Sequence, residues 1–443
     1  MNDDAGPDGV TAHASGAEDT DTSAPASPPP LRKRLLADIR PLRESPEYRR
    51  LWIGGALSGV GSQMTTVAVP VQVYSLTHSS LAVGLIGLTL AIPLITLGLL
   101  GGSLADAVDR RKLVMVTSTL LAVVSLVFAA QALLGLRQLW LLYLLTSLQS
   151  SLFAIDTPAR RAFIPRLLPP ERIPAAAALS LLSFQVSMIV GPLLGGAVIV
   201  AAGLRAAYVI DAVSFSVAVY AALRLRSMPP HTRGPAPGVR AVVEGLLFVQ
   251  RQRVLATALL VDINATIFGM PHALFPALAA TRFGGGSQTV GLLYAAPAIG
   301  GLVCATFSGP LSHVRRQGLA VLLAITVWGA AIAGFGFTHL LGLAVVLLAV
   351  AGAADMINGV FRTTILQVNT PDALQGRVNS LGYVVGIGGP RLGDVEAGVV
   401  AAVTSPVISA VSGGLVCVAG VVLLGLAFPS FARYHAAVKA VTV

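Results

Sequence analysis

The residues of this chain that could do chemistry are ionisable side chains that interrupt long apolar stretches. They are Asp211, Asp262, Asp355, Arg391, Asp394 and Glu396. A carboxylate in apolar surroundings readily binds a proton, because burial disfavours its charged form. An arginine in the same surroundings attracts anionic groups, and charges within membrane spans usually serve a function. These residue types therefore point to the binding of protons and small molecules.

The spacing of these residues leaves more than one interpretation open. Asp262 lies two residues before Asn264, so it is either a proton carrier or a carboxylate bonded to that amide or to a neighbouring helix. Arg391 and Asp394 can pair within one helix; the pair either neutralises itself or binds an anionic substrate and a proton. Asp211, near the end of its stretch, could cap or anchor a helix. The candidates for proton coupling are Asp262, Asp355, Asp394 and Glu396.

The stretches that hold these residues have the length and composition of membrane spans. The chain of 443 residues is 55% hydrophobic and 11% charged, whereas soluble domains carry about 25% charged residues. Apolar runs of about 20 residues, enough to cross the hydrocarbon core, recur without the alternation of barrel strands, so we expect helices. The predicted spans are 51–74, 81–105, 113–135, 138–156, 174–201, 204–223, 254–280, 289–311, 318–337, 340–361, 378–402 and 405–428.

The basic residues are unevenly distributed between the two sets of loops. Most of the 30 lysines and arginines fall in the termini and in the loops on the same side. The positive-inside rule assigns this side to the cytoplasm. We therefore expect a multi-pass plasma-membrane protein with both termini in the cytoplasm. The net charge of +10 indicates topology rather than nucleic-acid binding.

Internal repeats indicate two halves built on one plan. The tripeptide VGL at 83–85 recurs at 290–292, and GPLLGG at 191–196 recurs as GPRLGD at 389–394. We predict an all-α membrane protein of twelve transmembrane helices in two pseudo-symmetric six-helix halves. Its parts are a disordered tail (1–30), a basic juxtamembrane segment (31–50), the N-terminal half (51–223), a cytoplasmic linker with an amphipathic helix (224–253), the C-terminal half (254–428) and a cytoplasmic tail (429–443).

Two glycine-rich motifs stand at distinct places in the first half. The turn GGSLADAVDRRKL (101–113) follows the second span. Its acid and bases either form a cytoplasmic latch or only fix the topology; the latch residues are Gly102, Asp106, Arg110 and Arg111. Span five contains a proline that bends the helix and glycines that allow close packing; these are Gly191, Pro192, Gly195 and Gly196.

These motifs and the two-half plan resemble the major facilitator superfamily. The stretches at 67–85, 290–300 and 363–381 are similar to its twelve-span drug-exporter branch. This resemblance implies alternating access, and the span-five motif implies proton-coupled efflux. It implies a small-molecule substrate of the siderophore-like or amphiphilic drug-like kind. An uptake carrier or facilitator, or a non-transporting membrane scaffold, are the alternatives.

The chain departs from the family's patterns at a few positions. Ala107 and Asp109 stand where the turn usually has a basic residue and a glycine. Thr146 stands where many proton antiporters carry an arginine in span four, which leaves coupling to Asp262, Asp355 or span eleven. By family likeness, spans one, four, seven and ten line the cavity. The substrate-binding candidates are Gln63, Gln72, Gln149, Asn264, Phe268 and Arg391.

The sequence contains no pattern typical of an enzyme. HExxH, GxxxxGK[ST] and CxxC are absent, and Cys304 and Cys417 are isolated, so we expect no catalytic residues, no cofactor and no metal. His272 in span seven is either bonded to its own helix or involved in proton transfer. The expected partners are a small-molecule substrate, protons and the lipid bilayer, and we expect a monomer.

Overall fold

The regular elements of the protein are helices, and no strand occurs in the part that the structure describes. The computed structural model describes residues 38–107, 109–161, 163–225 and 239–435. The residues from Ile39 onward form one compact unit. The predicted tail 1–30 and parts of the juxtamembrane segment, of the linker and of the C-terminal tail lie outside the described residues.

The chain folds into a series of long helices joined by short turns. The longer helices are α1 (Pro46–Thr77), α2 (Ser80–Ala107), α3 (Arg110–Leu133), α4 (Leu139–Arg161), α5 (Ile173–Leu223), α6 (Val239–Arg251), α7 (Arg253–Phe268), α8 (Phe275–Thr281), α9 (Ser287–Thr306), α10 (Gln317–Phe337), α11 (Leu341–Val368), α12 (Asp372–Val403) and α13 (Pro406–Ala427). A short 3₁₀ turn, His272–Leu274, links α7 to α8.

Many of these helices have the character of membrane spans. Among the described residues, nine helical segments are long and apolar enough to cross a bilayer. One of them, Pro170–Leu223, has 54 residues and could cross twice. Its backbone leaves helical geometry at Gly203, with φ 80° and ψ 173°, a conformation that glycine tolerates. The protein is therefore a multi-pass helical membrane protein, while the count of twelve spans stays a prediction.

Helix α5 has two arms because of the break at Gly203. We call residues 173–202 the first arm and residues 204–223 the second arm. Both α1 and α3 pack against α5, and α2 packs against α4. In the later part of the chain, α7 packs on α12, α10 packs on α11 and α13, and α9 packs on α11. The helices before α6 and those after it thus pack largely among themselves.

Asp109 is the N-terminal cap of helix α3. Its side chain accepts a hydrogen bond of 2.9 Å from the backbone N–H of Arg111. An N-terminal cap of this kind contributes about 1 kcal/mol to helix stability. The acid that departs from the family pattern at this turn therefore has a structural role of its own. The surroundings of Gly102 and Asp106, two of the predicted latch residues, lie outside what the structure describes.

The predicted seventh span is not one continuous helix. Helix α7 ends at Phe268, and α8 begins only at Phe275. Pro271 has no N–H to donate, so the helical hydrogen-bond ladder stops there. The indole N–H of Trp328 donates to the carbonyl of Gly269 at 2.9 Å and satisfies one of the groups that the break frees. Broken helices inside membrane proteins occur where the backbone lines a cavity or is buried in protein.

Glycines join the earlier helices to the later ones at two places. In the contact of α2 with α12, a Cβ added to Gly84 would lie 3.2 Å from the Cα of Gly398 and 2.5 Å from the carbonyl oxygen of Asp394. In the contact of α5 with α9, a Cβ added to Gly291 would lie 3.2 Å from the Cα of Gly196. The repeated VGL tripeptides therefore place their glycines in matching contacts, where only glycine lets the backbones approach.

The other glycines of the span-five motif contact a different helix. A Cβ on Gly195 would lie 3.0 Å from the Cα of Met64 in α1. A Cβ on Gly191 would clash with the side chain of Gln63. The motif thus presents Gly191 and Gly195 to α1 and Gly196 to α9. It holds the first arm of α5 against two helices at once.

We expect the substitution Gly84→Ala to destabilise the protein. The added methyl group would collide with the backbone of α12, and overpacking of this kind costs about 1–3 kcal/mol. Thermal unfolding of the purified protein in detergent measures the effect as a lower melting temperature. Gly55→Ala is the matched control, because a Cβ there meets nothing within 4 Å and alanine favours helix. Equal melting temperatures for the two variants would contradict the close contact.

Candidate functional site

A cavity with a polar wall lies between the earlier and the later helices. It contains about 500 Å³ of space free of atoms. Helices α1, α2 and α4 line one side, and α9, α12 and the His272–Leu274 turn line the other. Its polar lining residues are Thr65, Thr66, Thr146, Gln149, Arg391 and Asp394. The mixture of apolar and polar lining is typical of a small-molecule site.

Charged groups meet on the α12 side of this cavity. Arg391 Nη1 lies 3.7 Å from one carboxylate oxygen of Asp394. Nδ1 of His272 lies 3.8 Å from the other oxygen. Tyr294 of α9 stacks on the imidazole of His272, with ring centroids 5.4 Å apart. Asp394 thus lies between a permanent cation and a histidine that is cationic only when protonated.

The break between α7 and α8 places the histidine at this wall. His272 starts the 3₁₀ turn directly after Pro271, where the chain has left helix α7. Its ring also makes an edge contact with Phe275, at 5.3 Å between centroids. The aromatic rings fix the imidazole beside Asp394. His272 therefore faces a carboxylate of another helix.

Three of the predicted binding and coupling residues meet in the cavity. Gln149 of α4 faces it from the earlier helices, and Arg391 and Asp394 face it from α12. Asp394 is buried, with a side chain 8% exposed, whereas Arg391 is 33% exposed. Thr146, which replaces the usual arginine of span four, lines the same cavity. Among the described lining residues, the only guanidinium is therefore that of Arg391 on α12. It lies on the wall opposite α4, the helix that carries Thr146.

Other predicted binding residues lie away from this cavity. Gln63 bonds to the sulfur of Met188 in α5. Gln72 exchanges two hydrogen bonds with Gln131, at 3.0 and 3.1 Å. Phe268, the last residue of α7, packs against the core. These side chains hold helices together instead of facing the cavity in this conformation.

The proposed bond between Asp262 and Asn264 is wrong. Asn264 donates to the backbone carbonyl of Cys417 in α13 at 2.8 Å. Residues two apart on a helix point in directions about 200° apart, so these side chains face different neighbours. The other alternative, a carboxylate bonded to a neighbouring helix, describes Asp262.

Asp262 is the centre of a buried ion pair between α7 and α11. Arg362 bonds to one carboxylate oxygen, and Asn358 donates to the other at 3.0 Å. Asp262 is 2% exposed. The sequence interpretation treated Arg362 as a loop charge that orients the protein, because the tenth span was predicted to end at 361. Helix α11 continues to Val368, so Arg362 lies inside the helix and pairs with Asp262.

A similar cluster in α4 was missed in the sequence. Arg160 pairs with Asp156, four residues earlier, and donates to the hydroxyl of Ser118 in α3 at 2.6 Å. Thr117 donates to Asp156 at 2.6 Å. Acid and base four residues apart on a helix are the signal that could have revealed this pair. The spacing of Asn358 and Arg362 in α11 is the same.

The remaining predicted residues have different surroundings. Asp355 is exposed and Glu396 is half-buried, and neither lines the central cavity. Arg111 donates to the carbonyl of Leu223 at 2.9 Å. This bond joins the start of α3 to the end of α5, where a cation complements the helix dipole. Arg110 lies in the first turn of α3.

The predicted cap at Asp211 is wrong, whereas an anchoring role fits its contacts with two neighbouring helices. It lies within the second arm of α5 and is 0% exposed. One carboxylate oxygen accepts hydrogen bonds from Thr65 in α1 at 2.8 Å and from Ser125 in α3 at 2.9 Å. The expectation failed because position along a helix does not tell which side chains the neighbouring helices bring to it.

Comparison with solved structures identifies the class of fold. A variant of the peptide transporter POT in complex with alafosfalin matches with a TM-score of 0.71 at 12% identity, covering 88% of this chain and 96% of that chain. A bacterial homolog of the human lysosomal transporter Spinster, in an inward-facing and unoccupied conformation, matches with a TM-score of 0.65 at 17% identity, covering 89% and 97%. The fold is that of these membrane transporters.

Comparison of the sequence with known families assigns the chain to one family within this class. Residues 37–440 match the transmembrane secretion effector family, and the chain belongs to this family. It is 29% identical over 396 residues to the enterobactin exporter EntS of Citrobacter koseri, covering 89% of this chain and 94% of that protein. The chain is thus a membrane transporter and not an enzyme.

We expect the ion pair of Asp262 and Arg362 to be essential for stability. Arg362→Met leaves a buried carboxylate without its cation, which costs about 3–5 kcal/mol of the free energy of unfolding. The double variant Asp262→Asn, Arg362→Met recovers most of this loss, because no charge is left unpaired. Chemical denaturation in detergent measures both values.

The control for this prediction is a pair on the surface. Arg172 and Glu44 are 2.7 Å apart, with side chains 22% and 45% exposed. Arg172→Met should change the free energy of unfolding by about 1 kcal/mol or less. If Arg362→Met and Arg172→Met have equal effects, the buried pair does not have the role assigned to it.

Proposed function

We propose that this transporter is a proton-coupled exporter of siderophore-like or amphiphilic drug-like small molecules. The observation that carries the proposal is the cavity in which Asp394 lies between Arg391 and His272. Such a site can bind a proton and a polar group of a substrate at the same place. Similarity to the enterobactin exporter of Citrobacter koseri supports export and this substrate class.

The proposed architecture has twelve membrane crossings in two halves, with both termini in the cytoplasm. The 54 residues of the segment that contains α5 and its break at Gly203 support two crossings there. Helices α1 and α12, of 32 residues each, are long enough to cross although their polar residues lower their hydropathy. The separate packing of the helices before and after α6 supports two halves. The basic loops support the orientation.

This orientation places the two glycine contacts toward the outside of the cell. Gly84 is near the start of α2 and Gly291 is near the start of α9, and in the proposed topology both helices begin at the outer surface. The halves then touch at their outer ends, below which the central cavity lies. In this conformation the substrate enters from the cytoplasm. Separation of the glycine contacts would open the cavity outward, as alternating access requires.

Competition for Asp394 explains the direction of coupling. If an ammonium or hydroxyl group of the substrate binds the carboxylate, it displaces the proton, and a proton that enters from outside displaces the substrate in turn. Binding of a substrate anion to Arg391 would have the opposite sign, because an added negative charge favours protonation of Asp394. Export against proton entry therefore requires that the substrate contact the carboxylate. Arg391 holds that carboxylate in place.

We expect Asp394→Asn to abolish proton release driven by substrate. Inside-out vesicles are given an acid interior, and a pH dye reports the loss of protons when a compound is added outside. Tetraphenylphosphonium, a macrolide and a catecholate siderophore are tested side by side. The wild-type protein should respond to at least one compound, and Glu44→Gln, an exposed surface change, should respond equally.

Two results would contradict the proposal. A full response in Asp394→Asn would show that the coupling carboxylate is elsewhere. The absence of a response to all three compounds, with protein present in the vesicles, would contradict export of these substrate classes.

A further inference from the structure

Asp211 differs from the other buried carboxylates in having no cation. Asp156, Asp262 and Asp394 each have an arginine within the 4.0 Å limit of an ion pair. No described cation lies within this distance of Asp211, although it is 0% exposed. A charge buried in this way is very costly unless it is paired, so the group takes up a proton instead.

The hydrogen bonds of Asp211 also suit a protonated carboxyl group. Thr65 and Ser125 both contact the same oxygen, Oδ2. The other oxygen, Oδ1, is buried without a hydrogen-bond partner among the described residues. A carboxylate would leave a charged oxygen, Oδ1, without a donor here. In a neutral carboxyl that carries its proton on Oδ2, this O–H can donate to one hydroxyl and accept from the other, and Oδ1 is left as an uncharged carbonyl oxygen.

Neutral groups surround Asp211 on each helix that packs against it. Thr65 and Gly61 face it from α1, Ser125 faces it from α3, and Ser214 lies near it on its own helix. The titratable side chain beside Asp211 on its own helix is Tyr208, which lies three residues earlier on α5 and therefore on the same face. The described neighbours of Asp211 therefore provide no positive charge that would stabilise its ionised form.

Polar groups lie between Asp211 and two cavities, with a direct hydrogen bond to Asp211 on the Thr65 side. Thr65 lines the central cavity that holds Asp394. In the other direction, the hydroxyl of Tyr208 donates to Gln72 at 2.7 Å. Gln72 and Gln131 line a second, more open cavity at the end of α1, with about 950 Å³ free of atoms. In the proposed orientation this second cavity is at the outer surface.

We propose that Asp211 is a second proton-binding site, which takes up protons from the outer cavity and passes them to the central cavity through Thr65. The carboxyl O–H donates its proton to the hydroxyl oxygen of Thr65, while the hydroxyl proton of Thr65 moves to water in the central cavity. Asp211 is left as a carboxylate and is reprotonated from the side of Tyr208. The role in transport rests on the proposed function, but proton binding and exchange at Asp211 do not.

Infrared spectroscopy of the reconstituted protein tests this site without a substrate. At neutral pH the wild-type protein should show the carbonyl stretching band of a protonated carboxyl group that is lost in Asp211→Asn. On perfusion with D₂O, the band should shift as the proton exchanges. Thr65→Val should slow this shift at least about tenfold, and Thr65→Ser, which keeps the hydroxyl, should restore the rate. A tenfold change in the exchange rate corresponds to a small change in the activation free energy of proton exchange.

Ser216→Ala is the control for the loss of a hydroxyl group elsewhere on the second arm of α5. Ser216 is on the same arm of α5 but bonds to its own helix, at Ala212, so the exchange rate should equal that of the wild-type protein. A carboxylate band in place of the carbonyl band, assigned by Asp211→Asn, would overturn the proton site. An unchanged exchange rate in Thr65→Val would overturn the route. Failure of substrate-driven proton release in vesicles, with the infrared result intact, would overturn only the exporter function.

Discussion

A charge that leaves water for the interior of a membrane protein needs a partner, and this constraint organises the polar interior of the transporter. Two clusters meet it with arginine. Arg160 neutralises Asp156 between α3 and α4, and Arg362 neutralises Asp262 between α7 and α11. In both, further side chains donate to the carboxylate, so each carboxylate has an arginine and a hydrogen-bond donor beside it. The pair of Arg362 and Asp262 joins helices that are distant in the sequence, whereas Arg160 and Asp156 lie on α4 and bind hydroxyl groups of the preceding helix, α3.

Asp394 and Asp211 meet the same constraint in other ways. Asp394 faces a cavity, and its carboxylate lies 3.7 Å from the guanidinium of Arg391. This distance is longer than in the other two pairs. Among the described residues, the hydrogen-bond partners of the Asp211 carboxyl group are two hydroxyl groups. A carboxylate that is held loosely, or not at all, by a cation is free to change its protonation state. The buried carboxylates thus differ in how closely a cation pairs with them, and the proposed proton sites are the two with the weaker pairing.

Backbone contact through glycine supplies the second element of the mechanism. Gly84 meets α12 and Gly291 meets α5, and both contacts lie near the starts of their helices. At these two glycines the nearest atoms across the contact belong to the backbone of the other helix. The central cavity lies beside Gly87, one turn further along α2. Motion at the glycine contacts would therefore change access to the cavity directly.

The sequence by itself determined the helical membrane fold and its internal repeat. Long apolar runs in a chain with few charges can satisfy their backbone in lipid only as helices. The glycines of the two VGL tripeptides, and the spacing of Arg391 and Asp394 within a helix, are local features that a single helix specifies. The break at Pro271 is also local in origin, since proline lacks an N–H, although the sequence interpretation ran span seven through it.

Only the tertiary structure decided which side chains meet across helices. Arg362 and Asp262 are 100 residues apart, and Thr65 and Asp211 are 146 residues apart. Helical periodicity relates residues on one helix, but the rotation of that helix toward its neighbours depends on the packing of all the others. This is why Gln149 faces the cavity while Gln72 pairs with Gln131, and why Asn264 bonds to Cys417 instead of Asp262. Nothing local to either sequence distinguishes these glutamines, because the difference lies in what the surrounding helices place opposite them.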